Sequence, residues 1–108
     1  QVAEQVERLE HEAQQPAAGI CANPQDEVLT FTIRPEIPDP RCMLFNQAQQ
    51  LRVANQTGKP VHVSTGPFAV ELAPGAAHLF DAPVGTYLLP GVHQVQVQPC
   101  CSPALWLR

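Results

Sequence analysis

The residues best suited to chemistry in this sequence are histidines and sulfur-containing side chains. His62 and His93 each lie in a segment where apolar and polar residues alternate, and Met43 lies in a short apolar run. Imidazole nitrogen and soft sulfur are ligands that copper prefers. One hypothesis is therefore a copper site made by His62, His93 and one or more of Met43, Cys100 and Cys101. The competing interpretation is that both histidines are ordinary strand or loop residues that form hydrogen bonds.

The four cysteines predict disulfide bonds and, with them, an oxidising compartment. Cys21, Cys42, Cys100 and Cys101 follow neither the C-x-x-C redox spacing nor a zinc-finger spacing. In one arrangement Cys21 pairs with Cys42 and closes a loop of about twenty residues, which leaves the adjacent Cys100 and Cys101 to form a strained vicinal disulfide. In the other arrangement, Cys100 and Cys101 each join either Cys21 or Cys42. Free thiols are the third alternative.

Motifs for catalysis and for nucleic-acid binding are absent from the sequence. It contains no G-x-S-x-G, H-E-x-x-H, P-loop or G-x-G-x-x-G motif, and its carboxylates are scattered rather than paired. With six Lys and Arg and a net charge of −4, it has no basic cluster for phosphates. It also lacks an apolar run of the roughly 20 residues that span a bilayer. We therefore expect a chain that is not an enzyme, with no nucleic-acid partner, no transmembrane segment, and no cofactor unless copper binds.

The hydrophobic pattern divides the chain into two regions. Apolar residues recur at helical spacing over 2–15, and Pro16 ends that pattern, which predicts a short N-terminal helix. The helix and its linker occupy 1–20. The remaining residues, 21–108, are expected to form one domain, because a chain of 108 residues has room for a single small core.

From residue 27 onward the pattern has a period of two residues, which is typical of strands. Turn residues separate the segments, for example in Asn55 to Gly58 and at Pro74-Gly75. The strand that begins at Val61 is expected to return from the turn at Gly58. Many short strands between turns are typical of an antiparallel sandwich. We predict strands at 27–33, 42–45, 51–54, from 61, at 68–72, 78–80, 87–89, 92–97 and 104–107.

The order of turns and histidines between residues 51 and 93 is the most specific pattern in the chain. His62 follows Asn55 by seven residues, and Gly85-Thr86-Tyr87 precedes His93. This order resembles a cupredoxin, the small copper-carrying β-sandwich. The resemblance implies an all-β, cupredoxin-like Greek-key sandwich, antiparallel or mixed, after the short N-terminal helix. It also implies that the blue copper site is lost, because no Cys lies between Tyr87 and His93 and no Met follows His93.

The expected function is a non-catalytic binding or assembly module of a secreted or envelope protein. Its partner is expected to be another secreted or envelope protein, and its location extracytoplasmic: periplasmic, envelope-anchored or secreted. The alternative is a copper-binding protein, either a copper carrier or one related to electron transfer, that uses His62, His93 and Met43 or the Cys100-Cys101 pair. A weaker alternative is a thiol-redox role of Cys100-Cys101.

Two smaller hypotheses concern the turns. Apolar residues at Pro83-Val84, in Leu88-Leu89-Pro90 and at Trp106 are candidates for partial exposure at an interface, although core packing is favoured for Leu88 and Trp106. Asn55-Gln56-Thr57 fits the N-glycosylation acceptor pattern, but a plain β-turn is the favoured interpretation.

Overall fold

The computed structural model describes residues 21–99 and 101–108, and this part of the chain is nearly all β, as predicted. The helix predicted over 2–15, the linker to residue 20, and Cys100 lie outside the described residues. A 3₁₀ turn, Val84–Thr86, follows the sixth strand. The strands are β1 (Val28–Ile33), β2 (Cys42–Phe45), β3 (Gln50–Asn55), β4 (Val61–Thr65), β5 (Phe68–Leu72), β6 (Ala77–Pro83), β7 (Gly91–Gln94), β8 (Gln96–Gln98) and β9 (Ala104–Leu107).

Three strands form the first layer, in the order β1-β3-β6. β1 runs parallel to β3, with Phe31 opposite Val53, and β6 runs antiparallel to β3, with Phe80 opposite Leu51. All four of these residues are buried. The two-residue period of the sequence therefore corresponds to one buried face and one outer face on each strand.

The other six strands form the second layer. β9 lies between β2 and β7, and β4 lies between β5 and β8. β7 and β8 are consecutive, with only Val95 between them, so this stretch joins the two groups into one broad layer. β2 is parallel to β9, and the other pairings in this layer are antiparallel. Two layers of mixed sheet are compatible with a β-sandwich.

The core lies between the two layers. Phe31 of β1 and Phe45 of β2 meet there, with ring centroids 6.1 Å apart. Each fully buried side chain of this kind contributes about 1.5–3 kcal/mol through the hydrophobic effect. The buried residues of this core are Leu29, Phe31, Ile33, Met43, Phe45, Leu51, Val53, Val61, Val63, Leu72, Phe80, Val84, Val95, Val97, Leu105 and Leu107.

Two of the strand predictions are wrong. Residues 87–89 do not form a strand, because the N–H groups of Tyr87 and Leu88 both donate to the Val84 carbonyl, at 3.2 and 3.0 Å, and this turn replaces strand pairing. The stretch 92–97 is not continuous, because it is divided at Val95 into β7 and β8, which pair with different neighbours. Val84 is fully buried rather than partly exposed.

The turn from Asn55 to Gly58 carries the chain from the first layer to the second. Gly58 has the positive φ that the turn requires, at 82°. β4 does not return beside β3 as predicted: it pairs with β5 and β8, whereas β3 pairs with β1 and β6. The turn is therefore a connection between layers, not a hairpin.

A disulfide joins Cys21 to Cys42, with a Cα–Cα distance of 4.6 Å. This bond excludes the arrangement in which Cys100 and Cys101 pair with Cys21 and Cys42. Cys101 is also disulfide-bonded, and no described cysteine is a free thiol. Such bonds are typical of oxidising, extracytoplasmic compartments. Within the described residues, no helix is both long enough and apolar enough to cross a membrane.

Candidate functional site

The two histidines of the copper hypothesis lie in different parts of the second layer. His62 is on β4, where it is opposite Gln98 of β8, and His93 is on β7. Gln98 is five positions after His93 in the chain, and five positions span about 16 Å along an extended strand. The structure therefore does not bring His62 and His93 together.

Met43 and His93 share a row but are separated by a leucine. Leu105 of β9 is paired with Met43 on one side and with His93 on the other. Two strand spacings place the backbones of Met43 and His93 about 10 Å apart. Met43 is 2% exposed and belongs to the core cluster. Its thioether therefore serves packing in this structure.

Each histidine ring has its own polar neighbour. The Nε2 atom of His93 lies 2.6 Å from the Leu89 carbonyl oxygen. Because a carbonyl oxygen only accepts, Nε2 carries the proton and Nδ1 is the free nitrogen of the neutral ring. His62 Nδ1 lies 3.9 Å from Glu71 Oε1, and both side chains are largely exposed. Among residues 21–99 and 101–108, no three His, Cys, Asp or Glu side chains are grouped closely enough to hold a metal ion.

An opening lies beside His93, where β4 and the 91–98 stretch separate. Gln96 is still paired with Ser64, but β4 then ends at Thr65 and the chain turns through Gly66 into β5. β7 continues without β4 beside it, and β9 is its one partner among the described strands. The second layer therefore forks at this point, and we call the opening between the two arms the fork cleft.

The backbone of β7 faces the fork cleft with unpaired groups. The N–H and C=O of Gly91, His93 and Val95 point toward β9, as the bond from Val95 N to Pro103 O shows. Because successive residues of a strand point to opposite sides, the N–H and C=O groups of Val92 and Gln94 point into the cleft. No described residue bonds to them.

The fork cleft has a volume of about 430 Å³. Its lining is mostly polar and, apart from an imidazole, uncharged. A groove with hydroxyl, amide and backbone groups is suited to hydrogen bonding with a polar or peptide-like ligand. The lining residues are Ser64, Thr65, Gly66, Leu88, Val92, His93, Gln94 and Gln96.

An apolar rim lies next to the fork cleft. Leu89 is 78% exposed, and its carbonyl oxygen accepts the hydrogen bond from His93. Phe68, 40% exposed, packs edge-on against Tyr87 with ring centroids 4.9 Å apart and also lies 6.0 Å from Phe80. The expected exposure of the 88–90 turn is thus confirmed for Leu89, whereas Leu88 is partly buried against the core. Exposed apolar side chains beside a polar groove are typical of binding surfaces.

Tyr87 supports the wall of the fork cleft. Its hydroxyl is buried and has no hydrogen-bond partner among the described residues, and burial raises the pKa of Tyr87 to about 12. The ring also limits Gly66, because a Cβ on Gly66 would lie 2.9 Å from Tyr87 Cδ1. Gly66 has a φ of 54°, so both its conformation and its lack of a side chain are required here.

Asn55 has a structural position, not one suited to glycosylation. It is fully buried, and its Nδ2 donates to the carbonyls of Lys59, Leu72 and Ala73 at 2.7–3.2 Å. Its Oδ1 accepts from the N–H and hydroxyl of Thr57 at 3.0 and 2.7 Å. An amide nitrogen used in this way is not available to a glycosyl donor, which favours the β-turn interpretation.

The sequence indicates His93 as a candidate ligand and Leu89 as a candidate for exposure, but it does not predict the fork cleft. Ser64, Thr65 and Gln96 have no motif, since single hydroxyl and amide residues in strands are usually solvated. The one available signal was the Gly66-Pro67 turn, which is a tight connection after β4. No protein-family model matches this sequence, and no curated protein matches it significantly.

Proposed function

We propose that this chain is a non-catalytic binding or assembly module of a secreted or envelope protein, and that its partner binds at the fork cleft. One observation carries this proposal: the backbone groups of Val92 and Gln94, to which no residue of the described part of the chain bonds, lie next to the exposed side chain of Leu89. A segment of the partner protein bonds to these backbone groups, and the apolar rim is buried against it.

The chemistry of the cleft favours binding over catalysis. Its hydroxyl groups belong to Ser64 and Thr65, and Thr65 is buried. None of the described residues that line the cleft is a carboxylate that could orient His93 as a general base. The remaining groups donate or accept hydrogen bonds, which is sufficient to hold a polypeptide.

The secreted or envelope location is supported by the disulfide between Cys21 and Cys42, which joins the segment before β1 to the first residue of β2. Bonds of this type persist in oxidising compartments such as the periplasm and the extracellular space. We propose that the module works there with another secreted or envelope protein.

A cupredoxin-like connectivity is supported by the two parallel strand pairings among the nine described strands. β1 is parallel to β3 in one layer, and β2 is parallel to the last strand, β9, in the other. In this proposal the scaffold is of the cupredoxin type while the blue copper site is lost. The Gly85-Thr86-Tyr87 segment then has a packing role, because Tyr87 supports the cleft wall.

Site-specific photo-crosslinking tests the binding proposal. A photo-reactive residue replaces Gln94 in the cleft or, as a matched control, the exposed Gln56 in the turn between the layers. The proposal expects a saturable crosslink to one secreted or envelope protein from position 94 and none from position 56.

Competition with unlabelled variants provides the quantitative measurement. Burial of the exposed part of Leu89 is worth about 1–2 kcal/mol, so Leu89→Asp should weaken competition at least about fivefold. Leu79→Asp, on the outer face of β6, is the matched control and should compete like the native chain. Equal competition by both variants, or equal crosslinking from both positions, would contradict the proposal.

Copper binding is the second candidate function. Its supporting observation is that His62 is opposite Gln98, so Cys101 follows only three residues after the His62 partner. Since Cys101 is disulfide-bonded, sulfur ligation requires reduction. Stoichiometric Cu(I) retention under reductant that is lost in His62→Ala but kept in His78→Ala would support this candidate, and no retention would remove it. A peptide map that finds Cys100 bonded outside this chain would remove the thiol-redox alternative.

A further inference from the structure

The outer edge of β1 is an open edge of the first layer. The carbonyl of Glu27 accepts from Gln50 N, and that of Ile33 accepts from Gln56 N, so the odd-numbered residues of β1 point toward β3. Because residues of a strand alternate in direction, the N–H and C=O groups of Val28, Thr30 and Thr32 point away from β3. At Thr32 both groups are already bonded to Asp39, at 2.8 Å each.

The next two outward positions of this edge are unpaired. No described residue bonds to the outward N–H or C=O of Val28 or Thr30. The facing edge of the second layer is closed, since Ala22 N donates to the Cys42 carbonyl and the Ala22 carbonyl accepts from Leu44 N. The sandwich therefore has a gap between β1 and the Ala22 segment in which one side has free backbone groups.

A groove of about 400 Å³ occupies this gap. Its apolar surface comes from Ala22, Pro24, Val28, Pro40 and side chains at the edge of the core. An extended chain that enters the groove can pair with β1 on one side and contact apolar residues on the other. The lining residues are Ala22, Pro24, Asp26, Val28, Leu29, Thr30, Asp39, Pro40 and Met43.

The charges in the groove are all negative. Asp26 lies at one end and Asp39 at the other, and the described lining residues include no Lys or Arg. Asp39 is paired with Arg34 at 3.5 Å, whereas the Asp26 side chain makes no ion pair with any described residue. Arg108 lies near the same end of the groove as Asp26, where it donates to Asn23 Oδ1 at 3.3 Å, and Arg52 is on β3, one strand away from the edge. The unpaired carboxylate of Asp26 is complementary to a Lys or Arg on the ligand.

From these observations we propose that the open edge of β1 binds an extended cationic peptide segment by strand addition. The segment bonds to the backbone of Val28 and Thr30 and places a basic side chain beside Asp26. This is a second binding surface, separate from the fork cleft, because the described lining residues of the two openings do not overlap. β-Strand addition derives affinity from main-chain bonds and specificity from side chains.

The other edge of this layer is less suited to the same ligand. β6 contacts β5, the strand that precedes it in the chain, and no groove among the described residues is lined by the outer edge of β6 together with an unpaired carboxylate. Its exposed charge, Asp81, accepts a hydrogen bond from Gln50 at 3.5 Å. The edge of β1 is thus the one that combines free backbone groups, a groove and an unpaired carboxylate.

Amide NMR on the full chain tests the proposal with defined probes. The ligand is a capped pentapeptide of sequence Lys-Val-Thr-Val-Lys, and the acidic control is Glu-Val-Thr-Val-Glu. The lysine peptide should slow hydrogen exchange of the Val28 and Thr30 amides and shift their resonances, while the glutamate peptide should not. Only alternate N–H groups of the bound peptide point toward β1. Of two lysine peptides, one N-methylated at its odd positions and one at its even positions, at least one should therefore fail to bind.

Two variants separate the backbone contribution from the charge contribution. Asp26→Asn removes an exposed charge pair with the ligand and should lower the affinity for the lysine peptide about two- to fivefold. Asp81→Asn on β6 should leave this affinity unchanged. Thr30→Pro removes an outward N–H that makes no hydrogen bond to β3, and it should abolish peptide binding. Equal binding of both peptides, equal effects of the two asparagine variants, shifts outside the groove, or no shift at millimolar peptide would each overturn the proposal.

Discussion

Replacement of Asn55 by alanine should destabilise this protein far more than its place in a surface turn suggests. The side chain bonds to five groups, and the Leu72 carbonyl that it reaches at 3.0 Å is buried. A buried acceptor left without a donor costs about 1–3 kcal/mol, and each further hydrogen bond contributes about 0.5–1.5 kcal/mol. We expect Asn55→Ala to lower the free energy of unfolding by about 3 kcal/mol or more.

Urea denaturation followed by tryptophan fluorescence measures this loss, since the chain contains one tryptophan, Trp106 on β9. The expected change corresponds to a decrease in Tm of at least about 12 °C. Asn46→Ala is the matched control. Asn46 is exposed, and its Oδ1 accepts a single hydrogen bond from Ala48 N at 2.9 Å. Asn46→Ala should therefore lower the free energy of unfolding by less than about 1 kcal/mol.

An isosteric substitution adds a pH test. In Asn55→Asp, a carboxylate faces three carbonyl oxygens without a compensating cation, so burial and repulsion raise its folded pKa above the unfolded value near 3.9. The variant should therefore regain stability as pH falls toward the unfolded pKa and lose it as pH rises through the folded pKa. If Asn55→Ala and Asn46→Ala lose similar stability, the buried network is not what holds this turn.

Three further predictions concern other parts of the fold. Tyr87 is the chain's one tyrosine, so phenolate absorbance should titrate near the raised pKa of about 12 in the native protein and near 10 in urea. The free energy of unfolding should then fall as pH rises from 10 toward 12, and a native midpoint near 10 would contradict the burial argument. Gly66→Ala should destabilise more than Gly58→Ala, because both glycines have positive φ but only the Gly66 Cβ meets a neighbour within 4 Å, Tyr87 Cδ1; equal unfolding midpoints would refute the steric reason. Replacing both Cys21 and Cys42 with Ala should lower the free energy of unfolding by about 3 kcal/mol, and a thermal scan with no change would contradict it.

Much of the local structure could be predicted because its causes are local. The alternation in β1 places Leu29, Phe31 and Ile33 on the buried face, as expected from a two-residue period. Gly58 adopts positive φ in the predicted turn. The segment 87–89 was mispredicted because its apolar residues satisfy a strand pattern, while the backbone bonds to Val84 that define the turn have no sequence signature.

The candidate site depended on information that residue order does not contain. His62 and His93 have suitable chemistry, but their separation follows from the register of β8 on β4. The fork cleft exists because β4 turns at Gly66 while β7 continues beside β9. Neither fact follows from the pattern of either strand alone, since a strand's period does not specify its partner or where pairing stops.

The sequence by itself therefore determined the all-β class, the inward faces of β1 and β3, the positive φ of Gly58, and the absence of a cysteine between Tyr87 and His93. These properties depend on side-chain periodicity and backbone φ, which neighbouring residues control. Tertiary structure alone decided that Cys21 pairs with Cys42 and that β3 and β4 belong to different layers. It also decided that no described residue bonds to the outward backbone groups of Val28, Thr30, Val92 and Gln94. These features arise from pairing between segments that are distant in the sequence, and this pairing depends on how the buried faces of all the strands pack together.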